Sequence, residues 1–329
     1  MTMLRWVSHS LAVTMTCAAL IGTAPAQPAN SWPDHPLRLI VPFPAGASAD
    51  IIARIVGQKL GARLGQQVVI ENRAGASGNI GADALAKAAP DGYTLGIATA
   101  STHAVAASLS AALPYDPLKD FAPVAMLGGQ PYVLVLYPGV PARDLAELVA
   151  LAKAKPGQLN YGSAGVASLA HLATALFASM AGIDITHVPY KSSAQSLTDL
   201  ITGRLEMQFA TIPPTLPTIR AGQLRALAST GKARTAVLPE VPTVAEAGFP
   251  GYEASLWMAL VMPAGSPPAI VARLNREVNE ILASAETREA LVAQGLDADA
   301  GPPQALTERI RSDIAKWRGV AAKAGIKAE

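Results

Sequence analysis

The sequence predicts an α/β protein of parallel sheets with helices wound on both faces, divided between two domains. Three observations carry this. Short apolar runs rich in Val, Ile and Leu alternate with helical patterns along most of the chain. About 300 residues follow a leader-like start, more than one comfortable core holds. Alanine-rich helices, 27 Gly, 26 Pro and only 5% aromatic residues fit ordered elements joined by short connections, not a disordered chain.

The first strand covers residues 37–43, LRLIVPF, and runs through the small-residue turn PAGASAD into an apolar-periodic helix over 50–62. A strand at 67–71 leads through a glycine-rich turn, 71–79, to a helix over 78–89. Strands at 94–99, 123–127 and 132–137 precede a helix over 142–153. A strand at 159–161 then meets a second small-residue turn, where Ser168 is placed to cap the helix that Gly182 ends. A strand at 185–188, a helix over 194–202 and strands at 206–210, 224–229 and 255–262 follow. Ser266 before Pro267 and Pro268 marks the start of a helix to residue 283, and short apolar repeats predict two more over 286–294 and 303–323.

Gln130-Pro131 and Pro250-Gly251-Tyr252 fall between strands and interrupt regular structure, so they are the expected crossings between domains. Two crossings make the second domain an insertion and the pair a hinge. Lobe 1 is then 32–130 plus 253–329, and lobe 2 is 131–252. The alternative is one large domain in which both segments are surface turns.

Residues 1–26 read as a signal peptide: Arg5, an apolar stretch over 11–21, and Ala24-Pro25-Ala26 ahead of a cleavage before Gln27. No later segment offers about 18 uninterrupted apolar residues, so the mature chain is expected to be soluble; the alternative is an uncleaved anchor. The single cysteine, Cys17, lies in the leader, which leaves no disulfide, thiolate nucleophile or cysteine metal site in the mature chain. With 26 basic and 24 acidic residues the balance is near neutral and points to neither nucleic acid nor an anionic membrane surface.

The first turn holds one hydroxyl and one charge, so its asset is backbone. Gly46 and the flanking Ala45, Ala47 and Ala49 keep amides uncovered at the positive end of a helix, and Ser48 is placed to donate to an anion or cap the helix. Asp50 would repel an anion and is better suited to capping the helix or holding the loop. The second turn, Gly162-Ser163-Ala164-Gly165-Val166-Ala167-Ser168, repeats the device. A third, at 71–79, contains Arg73, which can pair with Glu71 or Asp83. Two such cradles suffice for a small carboxylate: hydrogen bonds to a charged group contribute about 1.5–3 kcal/mol each, and a micromolar ligand needs about 8 kcal/mol net.

Enzymatic patterns are missing. Neither Gly46-Ala47-Ser48-Ala49-Asp50 nor Gly75-Ala76-Ser77-Gly78-Asn79 completes a nucleophile elbow. Gly231-Lys232 lacks the remainder of a Walker loop. His35, His103, His171 and His187 have no metal-ligand spacing, and no cofactor is implied. His171 reads as a structural hydrogen-bonding residue.

The runs PFPAGASADIIAR, ENRAGASGNIGAD, APDGYTLGIATASTHA, LPYDPLKDFAPV, LNYGSAGVASLAHL, HVPYK, LRALAST and LPEVPTVAEAGFPGYE resemble, in order and spacing, the Bug-type periplasmic solute receptors of tripartite tricarboxylate transporters. The resemblance implies a type II periplasmic binding protein fold: two doubly wound α/β lobes joined by crossover strands that close on a small carboxylate. It implies that Phe43 to Asp50 and Gly162 to Ser168 hold one carboxylate through backbone amides. It also implies that Ser101, Thr102 and His103 of one lobe and Tyr190, Lys191 and Ser192 of the other meet the rest of the ligand. Gly46, Ala47, Ser48 and Ala49 stand where relatives carry Gly-Gly-Ala-Thr or similar, so a partly apolar or aromatic carboxylate fits as readily as citrate or an amino acid. The implied partners are the membrane subunits of the transporter; a periplasmic subunit signalling to a two-component sensor kinase is the alternative. A hydrolase using Ser48 or Ser163 with His171 is a third reading, without an acid partner in the sequence.

Overall fold

The computed structural model describes residues 32–109, 112–166 and 168–326. The expected leader lies outside them. Among the described residues no helix is long and apolar enough to cross a membrane.

Strand β1 (Leu37–Val41) lies between β2 (Val68–Asn72) and β3 (Thr94–Thr99), parallel to both. Helix α1 (Ser48–Leu64) connects β1 to β2 and ends on Gly65 in the left-handed conformation. Between β2 and β3 comes α2 (Asn79–Ala86), entered through a single 3₁₀ turn. After β3 the chain forms one π-helical turn, Ser101–Val105, and the short α3 (Ala106–Leu109). The sequence reading left this stretch without a helix.

Strand β4 (Phe121–Leu136) replaces the two strands expected at 123–127 and 132–137. It runs unbroken through Pro131 and changes partners there. Residues 121–131 pair antiparallel with β9 (Ser255–Pro263), whereas 132–136 pair antiparallel with β7 (Met207–Thr211) and β8 (Arg225–Ser229). A proline without an N–H is tolerated where one ladder ends and the next begins. The sheet order is therefore β2-β1-β3-β9-β4-β7-β5-β6, with β5 at Asn160–Ser163 and β6 at Thr186–Pro189. Its outer parts are parallel, as expected, while β9 and β4 run antiparallel to their neighbours in the middle.

Of the predicted caps Ser168 holds, and Asp144 and Ser192 act as caps that the sequence reading did not name. Asp144 caps α4 (Leu145–Ala154), Ser168 caps α5 (Leu169–Ala181) with Gly182 at its end, and Ser192 caps α6 (Ser193–Ile201). Helix α7 (Ile212–Arg220) was not legible, because IPPTLPTIR carries three prolines: two sit at its start, where an N–H is not needed, and Pro217 lies inside. Helix α8 (Pro268–Ala283) starts on Pro267 as its cap, not on Ser266, whose hydroxyl donates to the Pro263 carbonyl instead. Helix α9 (Ala285–Val292), the two-residue β10 (Asp297–Ala298) and α10 (Pro303–Ala324) complete the chain. Trp257 on β9 is buried and donates to Asp313 of α10 at 2.7 Å, which makes it a core residue.

One residue ties together the segments that follow Gln130-Pro131 and Pro250-Gly251-Tyr252. Thr230 is fully buried; its hydroxyl accepts from the Tyr132 amide at 2.8 Å and donates to the Ala254 carbonyl at 2.5 Å, while its own carbonyl accepts from the Ala254 amide at 2.9 Å. The strand leaving the first sheet region and the chain returning to it are thus fastened side by side.

Candidate functional site

The first turn is shaped by Asp50. Its carboxylate accepts from the Gly46 amide, the Asn72 side chain and Arg54, each at 2.9 Å. Burial pushes the Asp50 carboxyl up, but the bonds from Arg54, the Gly46 amide and Asn72 outweigh it and hold the group below its ordinary range. Gly46 therefore spends its amide inside the loop, and its φ of 78°, with open space around a would-be Cβ, shows that it is there to make the turn. Ser48 neither caps α1 nor faces free: it donates to the buried Gln130 at 2.5 Å, and Gln130 in turn donates to the Gln294 carbonyl at 2.6 Å. What remains open are the amides of Ser48 and Ala49, the first two of α1, for which no described residue supplies an acceptor.

In the second turn Ser163 and Gly165 satisfy one another. The Gly165 amide donates to Ser163 Oγ at 3.2 Å, and that hydroxyl bonds the Gly165 carbonyl at 2.9 Å and His187 Nε2 at 2.7 Å. The His187 ring stacks on His171, centroids 3.9 Å apart, and burial lowers both imidazoles to about 4. No carboxylate among the described residues bonds either ring, so Ser163 and His187 do not form a nucleophile triad. At the helix start Ser168 accepts from the His171 amide, and the Leu169 amide donates to Ser101 Oγ at 3.2 Å. The amides of Ala164 and Ala170 have no acceptor among the described residues.

Both turns open on one cavity of about 50 Å³. Of the predicted site residues, Phe43, Ala47, Ser48, Ala49, Ser101, Ala164 and Ser168 line it. The others do not. Ala45, Gly46 and Asp50 build the first turn, and Gly162 packs on Ser196 where a Cβ would collide. Thr102 is absorbed in hydrogen bonds with Thr99, and His103 is buried against Phe121, its imidazole pushed down to about 3 by burial. Gly165, Val166, Tyr190 and Lys191 line a wider groove with Ser77 and Ile80 that meets the cavity only at Ala164, which lines both, and Ser192 is a helix cap. Arg73 pairs with Glu71.

Sequence reasoning missed the wall of this cavity. Tyr132 of β4, Gln208, Phe209 and Thr211 of β7, Leu256 of β9, and Thr99, Ala170 and Ser193 complete the lining, and none of it is charged. Gln208 had a signal: it is the one amide in the apolar strand MQFAT, and it is 1% exposed. The rest are apolar or hydroxyl residues indistinguishable from core in a single sequence.

A third turn closes over the second. Ala76 and Ser77 hold positive φ of 46° and 55°, and Ser77 Oγ donates to the Val166 carbonyl at 2.8 Å. Non-glycine residues in this region are strained, by about 1–3 kcal/mol each.

The model of the tripartite tricarboxylate transporter family receptor matches residues 52–326. The chain is 41% identical to Protein BugT of Bordetella pertussis over 322 residues, 98% of this chain and 99% of that protein. It is 37% identical to a protein encoded in the tcbD-tcbE intergenic region of Pseudomonas sp. strain P51, covering 95% of this chain and 92% of that one. Among solved structures it is similar to R. palustris Rpa4515 with adipate, at 39% identity and a TM-score of 0.87 over 90% of this chain and 99% of the other. It is also similar to MatC from Rhodopseudomonas palustris with bound malate, at 32% identity and a TM-score of 0.82 over 88% and 99%.

Proposed function

The chain belongs to the tripartite tricarboxylate transporter receptor family, and we propose that it is a periplasmic receptor that captures a small organic carboxylate between two lobes and delivers it to the membrane subunits of such a transporter. The carrying observation is that four amides without an acceptor among the described residues belong to residues lining one cavity: those of Ser48 and Ala49 at the start of α1, Ala170 at the start of α5 and Ala164 in the turn before it. Two helix starts aim partial positive charge at that space without a full cation, which suits one carboxylate. Adipate and malate are the ligands held in the two similar structures.

The lobes are 32–130 with 253–329 and 131–252, moving about the crossings that Thr230 fastens. A cavity of about 50 Å³ holds only a few waters, at roughly 10–15 Å³ each, so a ligand enters only when the turns part. A ligand touching both turns binds the closed arrangement better and shifts the population toward it. Membership of the receptor family supports delivery to membrane subunits.

The test is a thermal-shift screen of the protein without residues 1–26 against mono-, di- and tricarboxylates, aromatic ones included. A carboxylate present at 100 times its Kd adds about 2.7 kcal/mol of stability, and at least one is expected to raise the midpoint in proportion to its concentration. No shift with any of them at millimolar concentration would overturn the reading.

A further inference from the structure

The cavity wall formed by β4 and β7 bears three polar groups without a partner among the described residues. The Tyr132 hydroxyl and the Gln208 Nε2 amide make no hydrogen bond, and Thr211 Oγ1 is buried and unpaired. Gln208 is the group whose direction is fixed. Ser196, fully buried on α6, donates to Gln208 Oε1 at 2.9 Å, and among the described residues this is the only acceptor its hydroxyl finds. Turning the amide over would leave the Ser196 proton without an acceptor, so the oxygen stays toward Ser196 and the NH₂ is left for the cavity. Ser196 cannot drift away, because it is packed against the backbone of Gly162.

The lining also has no acidic side chain. Asp50, the carboxylate of the first turn, does not line the cavity and is occupied by Gly46, Asn72 and Arg54. An ammonium enclosed here would lose its water without gaining an anion, a cost of several kcal/mol. A carboxylate or carbonyl oxygen would instead meet a fixed amide N–H.

We propose that Gln208, positioned by Ser196, reads the far end of the ligand: the receptor accepts carboxylates whose second polar group is a hydrogen-bond acceptor and rejects those that end in an ammonium. The proposal rests on the carboxylate reading of the two turns. Phe43, Phe209 and Leu256 supply the apolar surface for the carbon chain.

Titration calorimetry with two chain-matched series tests it: adipate, hexanoate and 6-aminohexanoate, then succinate, butanoate and 4-aminobutanoate. In at least one series the diacid is expected to bind roughly 10- to 100-fold more tightly than the monoacid, as one hydrogen bond to a charged group gives, with the ω-amino acid undetectable. Gln208→Glu keeps an acceptor for Ser196 but presents an anion to the cavity, so it should lose the diacid and gain the ω-amino acid. Ser196→Ala frees the amide to turn over and should reduce the discrimination even if Gln208→Glu fails to fold. Equal binding of diacid and monoacid, tight binding of an ω-amino acid to the unmodified protein, or undiminished discrimination in Ser196→Ala would overturn this inference while leaving the carboxylate reading in place. Binding of none of the six would overturn this inference, and the carboxylate reading falls with it only if the wider carboxylate screen also finds no ligand.

Discussion

At Asp50 a carboxylate with 2% exposure joins the amide of Gly46, the side chain of Asn72 and the head of Arg54. Asp50→Ala removes the acceptor of the Gly46 amide and of Arg54 and leaves Asn72 only its bond to the Phe43 carbonyl, and it is expected to cost about 1–3 kcal/mol, measured by urea denaturation. Ligand affinity should fall with it, because the turn that presents the Ser48 and Ala49 amides loosens. Gly46→Val is expected to weaken binding through the backbone: a residue with φ of 78° resists a β-branched side chain. Gly165→Val meets Ser77 Oγ at 3.0 Å and disturbs the closing contact as well. The sequence made both turns readable because small residues between a strand and a helix have few other uses. It did not show that the glycine amides are consumed internally, since the bonds from Asp50 and Ser163 depend on how the loop folds.

Among the elements, the stacked rings of His171 on α5 and His187 on β6 set a pH dependence. Both imidazoles are held at about 4 in the folded protein, against about 6.5 when free. Between those values the unfolded chain binds protons that the folded chain refuses, so stability falls as pH drops from about 6.5 toward 4 and is fully present above that window. His171→Phe keeps a ring in the stack but removes one of the two titrating groups, and is expected to reduce the slope of the melting midpoint against pH, with His187, still lowered mainly by burial, and buried His103 supplying the rest. Thr230→Val is the complementary test of the crossings. It leaves the Tyr132 amide and the Ala254 carbonyl without their hydroxyl partner and should destabilise by about 2–4 kcal/mol. Most elements were legible from apolar periodicity and caps. The π-helical turn, α7 and the unbroken β4 were not, because their prolines and short runs read locally as breaks while tertiary pairing carries the chain through them.

For the whole molecule, two side-chain hydroxyls bridge the turns: Ser77, which donates to the Ala164 and Val166 carbonyls, and Ser101, which accepts from the Leu169 amide. Ser77→Ala removes one of them and is expected to weaken ligand affinity by about fivefold, the equivalent of about 1 kcal/mol, while increasing the unliganded radius of gyration in small-angle scattering. The central claim is that one carboxylate is held by amides from two helix starts and the turn before the second. Amide chemical shifts in a labelled sample titrated with a bound carboxylate test it most directly: Ser48, Ala49, Ala164 and Ala170 should shift together and saturate at one ligand per chain. A carboxylate that binds but leaves those four resonances in place would contradict the account.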